Sequence, residues 1–314
     1  MPVKEPRGAI PVRGPWRKVL VLVNPKSGLG IPFRSLRAGV DKYWDLPGCS
    51  VSYQFSRSIA DGAVKARQAL ADGVQVVLVA GGDGTVNSVG RELIGSDAIL
   101  GVIPADSGNG FARHFNIPLD PKRAVEALAG GAVRRIDVGT VDGVPFLVTC
   151  SMAWDASIAN AFQRSPVRGV IPYIFAGFQG LLDYEPQIIR VELDGERQER
   201  FVHPLVLTVA NLTQYGGGAR IAPHAREDDG QLELVVALRQ DALKLAVNLG
   251  RLFDGTVNRL PEVISHRFRR LVVEREYPAA IQIDGEVAEA GARVVVEVHP
   301  KVLNVLVPSG HVDG

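Results

Sequence analysis

LVAGGDGTVNSVGRELIG, the stretch from Leu78 to Gly95, changes within four residues from an apolar run to a pattern typical of a helix. Gly81, Gly82, Asp83 and Gly84 separate the two parts. Glycine lets backbone N–H groups approach a ligand closely, and a helix N-terminus adds the positive end of a dipole, so this junction predicts a phosphate-binding loop. A carboxylate beside a polyphosphate is favourable only when a divalent cation lies between them, and Asp83 therefore indicates a metal.

The neighbouring segments repeat the same order of strand and helix. Continuous apolar runs are typical of strands that are covered on both faces, and they occur at KVLVLVN (18–24), VQVVLVA (74–80) and ILGVIP (99–104). Helical patterns lie between these runs. The alternation predicts an α/β domain with a mostly parallel, doubly wound sheet, whose ligand crevice lies at the carboxyl ends of the strands.

Two further loops follow strands of this predicted sheet, namely NPKSGLG (24–30) and PADSGNGFAR (104–113). A single glycine-rich loop is most often only a turn, and NPKSGLG lacks the GK[ST] order of a Walker A loop. Three such loops at successive strand ends are harder to explain as turns alone. Together they indicate a binding site for a phosphorylated ligand.

The second half of the chain has a different pattern. From Ala132 onward, alternating strands such as RVELDGE and QLELVVAL dominate, and Asp-Gly turns join consecutive strands. We therefore predict a β-rich C-terminal domain built as an antiparallel sandwich. The predicted domains are a flexible N-terminal tail (1–17), the α/β domain (18–131), the β-rich domain (132–302) and a C-terminal segment (303–314) that packs back on the first domain.

Composition and charge argue against several classes of protein. The chain has 35 Lys and Arg against 34 Asp and Glu, and this balance argues against nucleic acid as a partner. Cys49 and Cys150 lack metal-ligand spacing, so we expect a reduced, cytoplasmic compartment. No HxxxH set and no GxSxG elbow is present, which argues against a zinc enzyme or a serine hydrolase. The sequence also contains no apolar run long enough to span a membrane.

The three loops resemble those of the diacylglycerol kinase catalytic family, which includes bacterial lipid kinases and sphingosine kinases and shares NP-x-[SG]-G, GGDGT-x-N and G-[ST]-x-N loops. IDVG (136–139), YGGGARIAPHAREDDGQLEL (215–234) and IQIDGE (281–286) extend the similarity over roughly residues 18 to 310. The resemblance implies an ATP-dependent lipid kinase that transfers the γ-phosphate to the primary hydroxyl of a lipid such as diacylglycerol or a sphingoid lipid. It also implies Mg²⁺ and peripheral association with a membrane from the cytoplasm, and it leaves a homodimer open.

The resemblance implies functional residues by position. Those that match the nucleotide loops are Asn24, Pro25, Lys26, Ser27, Gly28, Ser56, Gly81, Gly82, Asp83, Gly84, Thr85, Asn87, Ser107 and Asn109. Those that match metal positions are Asp83 and Asp137, in a water-bridged magnesium network, and Asp229 with the main-chain carbonyls of Arg226 and Gln231, at a structural magnesium site.

The implied chemistry depends on three carboxylates. Glu286 is implied as the general base, with Asp284 orienting it and Asp83 acting at the metal. Asp155 lies where relatives carry a GFDA-like motif, and the resemblance implies that it contacts the head group of the substrate. One position departs from the pattern, because many diacylglycerol kinases have Asp directly after the Asn of the third loop, whereas this chain has Gly110. Sphingosine-kinase-like members also lack that Asp, so the identity of the lipid acceptor stays open.

Two other functions remain open from the sequence. An NAD kinase also uses a GGDG loop, although NPKSG and SGNGFAR argue against it. A non-catalytic nucleotide or lipid sensor would keep the loops and lose the chemistry, although the joint presence of Asp83, Asp284 and Glu286 argues against that. Finally, the apolar segment 170–182, with Arg164 and Arg168 upstream, fits either a helix at the membrane surface or a helix buried in the second domain.

Overall fold

The computed structural model describes residues 10–11, 16–27, 32–153, 187–240, 244 and 247–309. The chain divides into two compact units. The first unit contains residues 1–136 and 301–314, and the second contains residues 137–300. The sequence prediction had the corresponding boundary between residues 131 and 132. In the part of the chain that is described, no helix is long and apolar enough to cross a membrane.

The first unit contains a parallel sheet with the strand order β5–β4–β2–β3. Its strands are β2 (Lys18–Val23), β3 (Ser50–Phe55), β4 (Val76–Gly81) and β5 (Ile99–Pro104). The end of β19 (Arg293–Val307) adds a further parallel strand, because Asn304 and Val305 pair with Ile99 and Leu100. Every residue of β4 and β5 is buried, which explains why these two segments are continuously apolar in the sequence.

Four of the five helices described in the first unit pack in two pairs. The five are α1 (Phe33–Trp44), α2 (Ile59–Ala71), α3 (Asp83–Leu93), α4 (Gly110–His114) and α5 (Pro121–Ala129). α1 packs against α5, where the Trp44 indole N–H donates to the Val125 carbonyl at 3.1 Å. α2 packs against α3 so closely that a Cβ on Gly62 would lie 3.7 Å from Val89. The predicted α/β domain with a mostly parallel, doubly wound sheet is confirmed.

A short strand occurs within the segment 1–17. β1 (Ile10–Pro11) pairs in antiparallel fashion with Val133 and Ala132, at the start of β6 (Ala132–Val141). Residues 10 and 11 therefore pair with the strand that leads into the second unit. A strand of two residues is too short to show the alternating pattern by which strands are recognised in a sequence.

Two large antiparallel sheets, beside the two-stranded sheet of Gln214–Gly216 and Ala219–Arg220, occur in the described part of the second unit. The first has the order β10–β9–β16–β19, and the second has the order β15–β14–β11–β8–β17–β18. Their strands are β8 (Thr149–Ser151), β9 (Ile188–Leu193), β10 (Arg197–Val202), β11 (Val206–Ala210), β14 (Leu232–Ala237), β15 (Val263–Phe268), β16 (Arg270–Arg275), β17 (Ala279–Ile283), β18 (Glu286–Ala290) and residues 293–300 of β19. Apolar side chains of both sheets form one core, with Leu193 and Val273 from the first sheet and Val209 and Ile283 from the second. The predicted antiparallel sandwich is confirmed.

Shorter elements complete the described part of the second unit. They are β7 (Val144–Phe146), β12 (Gln214–Gly216), β13 (Ala219–Arg220), α6 (Gly250–Asp254) and a 3₁₀ turn at Val257–Arg259. Three of the Asp-Gly pairs of the second unit are hairpin turns, because φ is positive at both residues of Asp142–Gly143, Asp194–Gly195 and Asp284–Gly285. The pair Asp284–Gly285 forms a two-residue loop between β17 and β18, directly before Glu286.

Candidate active site

The loop after β4 forms the centre of the candidate nucleotide site. β4 ends at Gly81, Gly82 precedes the helix in an extended conformation, and α3 begins at Asp83. The N–H groups of Thr85 and Val86 donate to the Gly82 carbonyl at 3.0 and 3.1 Å. Among the described residues, the Asp83 and Gly84 N–H groups have no acceptor. The start of α3 therefore offers two backbone donors and a helix dipole to an anion.

The first loop is hydrogen-bonded directly to this centre. The Asn24 main-chain N–H donates to the Ala80 carbonyl at 2.9 Å, and the Asn24 carboxamide donates to the Thr85 hydroxyl at 2.8 Å. The Ser27 hydroxyl accepts the Gly82 N–H at 3.2 Å. The two predicted phosphate loops, which are almost 60 residues apart in the sequence, thus form one structure.

The third loop is attached to the same centre by Asp83. The Asp83 carboxylate accepts the Gly110 N–H at 3.0 Å and the Phe111 N–H at 3.3 Å, at the start of α4. Burial raises the pKa of Asp83 above its ordinary value, and these two hydrogen bonds oppose the rise. The nearby Asp106 carboxylate raises the pKa further, because a second negative charge disfavours ionisation. A cation beside Asp83 would stabilise the ionised carboxylate and so oppose the effects of burial and of Asp106 on this pKa.

Asp106 is the residue that the sequence interpretation missed. A Cβ on Gly82 would lie 2.5 Å from Asp106 Oδ2 and 2.9 Å from its Cβ, so the Asp106 side chain lies directly over the phosphate loop. Asp106 Oδ1 accepts the Ser107 N–H at 2.8 Å. The sequence does contain a signal for it, because an acidic residue lies inside PADSGNG, one position before Ser107. The family resemblance assigns only Ser107 and Asn109 in this loop. The structure therefore supplies a second carboxylate near Asp83 although Gly110 replaces the usual Asp.

The other predicted nucleotide residues differ in exposure. Pro25, Lys26 and Ser107 are exposed, whereas Thr85, Asn87 and Asn109 are buried. Ser56 is fully buried at the end of β3, and its hydroxyl donates to the Val23 carbonyl at 3.4 Å. Gly28 lies outside the described residues. The exposed residues are therefore accessible to a ligand, whereas the buried residues stabilise the loops.

In the second unit, the hairpin between β17 and β18 carries the predicted catalytic carboxylates. The Asp284 carboxylate accepts three main-chain N–H groups, from Leu147 at 2.6 Å, Val148 at 2.8 Å and Thr149 at 2.9 Å. Only 7% of Asp284 is exposed. Glu286 is half-buried, and its carboxylate has no hydrogen bond or ion pair with another described residue. Asp284 is thus held by the backbone, whereas Glu286 keeps its oxygens available for another group.

Asp137 and the turn at residues 226–231 form the second acidic region of this unit. Asp137 is fully buried, its Oδ2 accepts the Gly230 N–H at 2.6 Å, and its main-chain N–H donates to the Glu227 carbonyl at 2.7 Å. Arg226, Asp229 and Gln231 line one narrow cleft. The predicted members of the structural magnesium site are therefore close together in space.

The donors of this cleft fit a hard cation, because the predicted ligands are one carboxylate and two carbonyl oxygens. Asp229 already has partners: its Oδ1 accepts the Gln231 N–H at 3.1 Å, and its Oδ2 lies 3.4 Å from the Arg267 guanidinium. A cation there would compete with Arg267 for Asp229. Within the described residues, no three His, Cys, Asp or Glu side chains form a metal cluster.

Three sequence predictions fall outside the described residues. They concern Asp155 as a contact of the substrate head group, the segment 170–182, and the basic pair Arg164 and Arg168.

Comparison with known proteins identifies the family. The model of the diacylglycerol kinase catalytic domain matches residues 18–141, and the model of the YegS C-terminal NAD kinase beta sandwich-like domain matches residues 149–307. A diacylglycerol kinase from Mycobacterium tuberculosis is 31% identical over 265 residues, which cover 82% of this chain and 85% of the relative. The chain belongs to the diacylglycerol kinase family. The family resemblance of the three loops is confirmed.

Other relatives of the family agree. A protein of Chromohalobacter salexigens named "Probable lipid kinase YegS-like" is 32% identical over 238 residues, which cover 72% of this chain and 74% of the relative. The crystal structure of a diacylglycerol kinase from Bacillus anthracis has the same fold, with a TM-score of 0.73 at 18% identity over 96% of this chain and 100% of that one. The chain is a diacylglycerol kinase-like lipid kinase, which is a phosphotransferase.

Proposed function

We propose that this lipid kinase transfers the γ-phosphate of ATP to the primary hydroxyl of a membrane lipid, in a reaction that requires Mg²⁺. The observation that supports this most is the joining of three loops around the start of α3, where Gly82 has no room for a side chain. The free N–H groups of Asp83 and Gly84 bind the phosphates. A kinase family implies ATP as the co-substrate, and this site has the donors that a triphosphate needs.

The carboxylates of the site fit a magnesium-dependent reaction. Asp83 would hold the ion through water, with Asp137 in the same network, and Asp229 with the carbonyls of Arg226 and Gln231 would hold a structural ion. Bound Mg²⁺ neutralises charge that develops on the transferring phosphoryl group. Asp83 fits this role because two backbone N–H groups fix its carboxylate and leave lone pairs available.

Glu286 removes the proton of the lipid hydroxyl. Its half-buried carboxylate has no partner among the described residues, so it can accept a hydrogen bond from the acceptor. Asp284 is a positioning residue, because three backbone N–H groups already occupy its carboxylate. The retention of both groups favours an enzyme over a nucleotide or lipid sensor.

The acceptor is a lipid with a primary hydroxyl beside long apolar chains, such as diacylglycerol, monoacylglycerol, ceramide or a sphingoid base. We propose that the protein is cytoplasmic and reaches this lipid at the membrane surface, with Asp155 at the head group and with Arg164 and Arg168 meeting anionic lipids. Sedimentation with anionic vesicles tests this: Arg164→Glu with Arg168→Glu should weaken binding in low salt. Analytical ultracentrifugation tests the proposed homodimer.

The decisive experiment is a phosphorylation assay with the purified protein. ATP labelled at the γ-phosphate is incubated with vesicles that contain each candidate lipid, with Mg²⁺ or with EDTA, and separately with NAD. We expect label in at least one lipid, none in NAD, and loss of transfer in EDTA. Transfer to NAD would favour an NAD kinase. ATP binding by calorimetry without transfer to any acceptor, including lipids of a mixed extract, would favour a sensor.

A further inference from the structure

The segment from Leu147 to Thr149 is the element that binds Asp284. It follows β7 directly and ends at the first residue of β8, and all three residues are buried. Each of its N–H groups donates to the Asp284 carboxylate. Asp284 in turn donates its own N–H to the Thr149 carbonyl at 2.9 Å. The position of the hairpin that carries Glu286 therefore depends on where this segment lies.

Asn211 holds the same segment from the other side. It directly follows β11, whose last residue, Ala210, pairs with Thr149. The Asn211 main-chain N–H donates to the Val148 carbonyl at 2.9 Å, and its carboxamide donates to the Leu147 carbonyl at 2.9 Å. Only 1% of Asn211 is exposed. The segment's N–H groups thus bind Asp284 while two of its carbonyls bind Asn211.

The carboxamide of Asn211 has a second acceptor. The same nitrogen donates to the Asp137 carbonyl at 2.9 Å, and Asp137 is itself bonded to Glu227 and Gly230 in the turn at residues 226–231. Both amide hydrogens of Asn211 are therefore donated, one to the Leu147 carbonyl and one to the Asp137 carbonyl. A buried residue with two such donors fixes the relative position of the two elements.

We propose that Asn211 is a positioning residue for phosphoryl transfer: it fixes the segment Leu147–Thr149, which through Asp284 fixes where Glu286 meets the acceptor hydroxyl. The inference rests on the proposed role of Glu286. Asn211 belongs to the second unit, whereas the three nucleotide loops belong to the first, so its loss should displace the base and leave ATP binding intact. A displacement of about 1 Å can lower a rate by about 100-fold, because proton transfer needs close approach.

The test combines kinetics with hydrogen exchange on the purified full chain. In Asn211→Ala, with Asn211→Ser as a milder second variant, we expect kcat to fall by about 10- to 100-fold while the KM for ATP stays within about twofold. We expect the amides of residues 147–149 to exchange about tenfold faster, since their segment loses its anchor. In a double-mutant cycle, Asn211→Ala and Asp284→Asn should be less than additive in kcat, because both act through one segment.

A matched control separates positioning from general destabilisation. Ser265→Ala removes another side-chain hydrogen bond of the same sheet, to Glu233, on β15, which pairs with β14 and is separated from β8 by β14 and β11 in the strand order. It should leave kcat and the exchange of residues 147–149 unchanged. Wild-type kcat in folded Asn211→Ala, additive effects in the cycle, or unchanged exchange at residues 147–149 would overturn the inference. A wild-type protein that phosphorylates no lipid would overturn the proposed function instead, and the exchange measurement would still decide whether Asn211 anchors the segment.

Discussion

Asp83 joins two loops and is also the expected magnesium partner, so its replacement separates structure from chemistry. In Asp83→Asn the carboxamide can still accept one of the N–H groups that Asp83 now accepts from Gly110 and Phe111. The fold should therefore persist. We expect activity to fall by about 10- to 100-fold, the usual cost of losing a group that acts on a metal through water. Kinase assays over a range of Mg²⁺ concentrations measure this, and wild-type activity at saturating Mg²⁺ would contradict it.

The stability of Asp83→Asn relative to the wild type should depend on pH. Because the pKa of Asp83 is raised in the folded protein, mainly by burial, the ionised carboxylate costs folding free energy above that pKa. In EDTA, Asp83→Asn should be the more stable protein at pH 7. The difference should shrink as the pH falls through the folded pKa toward the ordinary carboxyl range, where both states of the wild type are protonated. Denaturant unfolding at several pH values measures it, and a gain that grows toward low pH would contradict the argument.

Gly82 tests the close approach at the phosphate loop. In Gly82→Ala the new methyl group would meet Asp106 at 2.5 Å, so the third loop must shift. We expect a loss of about 1–3 kcal/mol in the free energy of unfolding, together with weaker ATP binding. Adding Asp106→Gly should restore stability but not ATP affinity, because the methyl group still obstructs the phosphates. Gly130→Ala is the matched control, since no atom of a described residue lies within 4 Å of its Cβ position. Unchanged ATP affinity in Gly82→Ala, measured by calorimetry, would contradict the phosphate-loop assignment.

At the scale of elements, the hairpin before Glu286 can be tested against an identical turn elsewhere. Gly285 and Gly143 have φ of +91° and +80°, and a Cβ at either would meet no atom of the described part of the chain within 4 Å. Alanine at each should therefore cost about 1–2 kcal/mol of stability through backbone strain alone. Only Gly285→Ala should also lower kcat, because it displaces the neighbouring Glu286. Equal kcat values in the two variants would show that the β17–β18 turn does not position the base.

Elements could be predicted from the sequence where their own residues determine the structure. β4 and β5 could be predicted because they are buried on both faces and so are apolar throughout, and the Asp-Gly hairpins because positive φ selects those residues. Two contacts could not be predicted from the sequence: that of Asp106 with Gly82 and that of Asn211 with Leu147. Each joins segments that are distant in sequence, and such a contact leaves no periodic pattern. The family resemblance named the residues of the loops and the hairpin but not these supports.

At the scale of the whole molecule, the first unit is discontinuous. Residues 301–314 belong to it although the second unit precedes them in the chain. The end of β19 pairs with β5 through Asn304 and Val305. Four of its apolar side chains are at most 1% exposed, namely Leu303, Val305, Leu306 and Val307. Burial of such side chains contributes about 1.5–3 kcal/mol each, so this short segment supplies a free energy comparable to the roughly 5–15 kcal/mol by which a domain is stable.

A chain truncated after Pro300 should therefore lose the folded first unit and, with it, ATP binding. The second unit keeps its own core and should still unfold cooperatively, because the buried residues of that core include none from 301–307. A chain truncated after Val307 is the matched control, since it keeps the pairing with β5 and should match the full chain in thermal unfolding and in ATP affinity. Calorimetry measures thermal unfolding and ATP affinity for the three proteins. If the chain that ends at Pro300 binds ATP as tightly as the full chain, residues 301–307 of β19 do not stabilise the nucleotide loops.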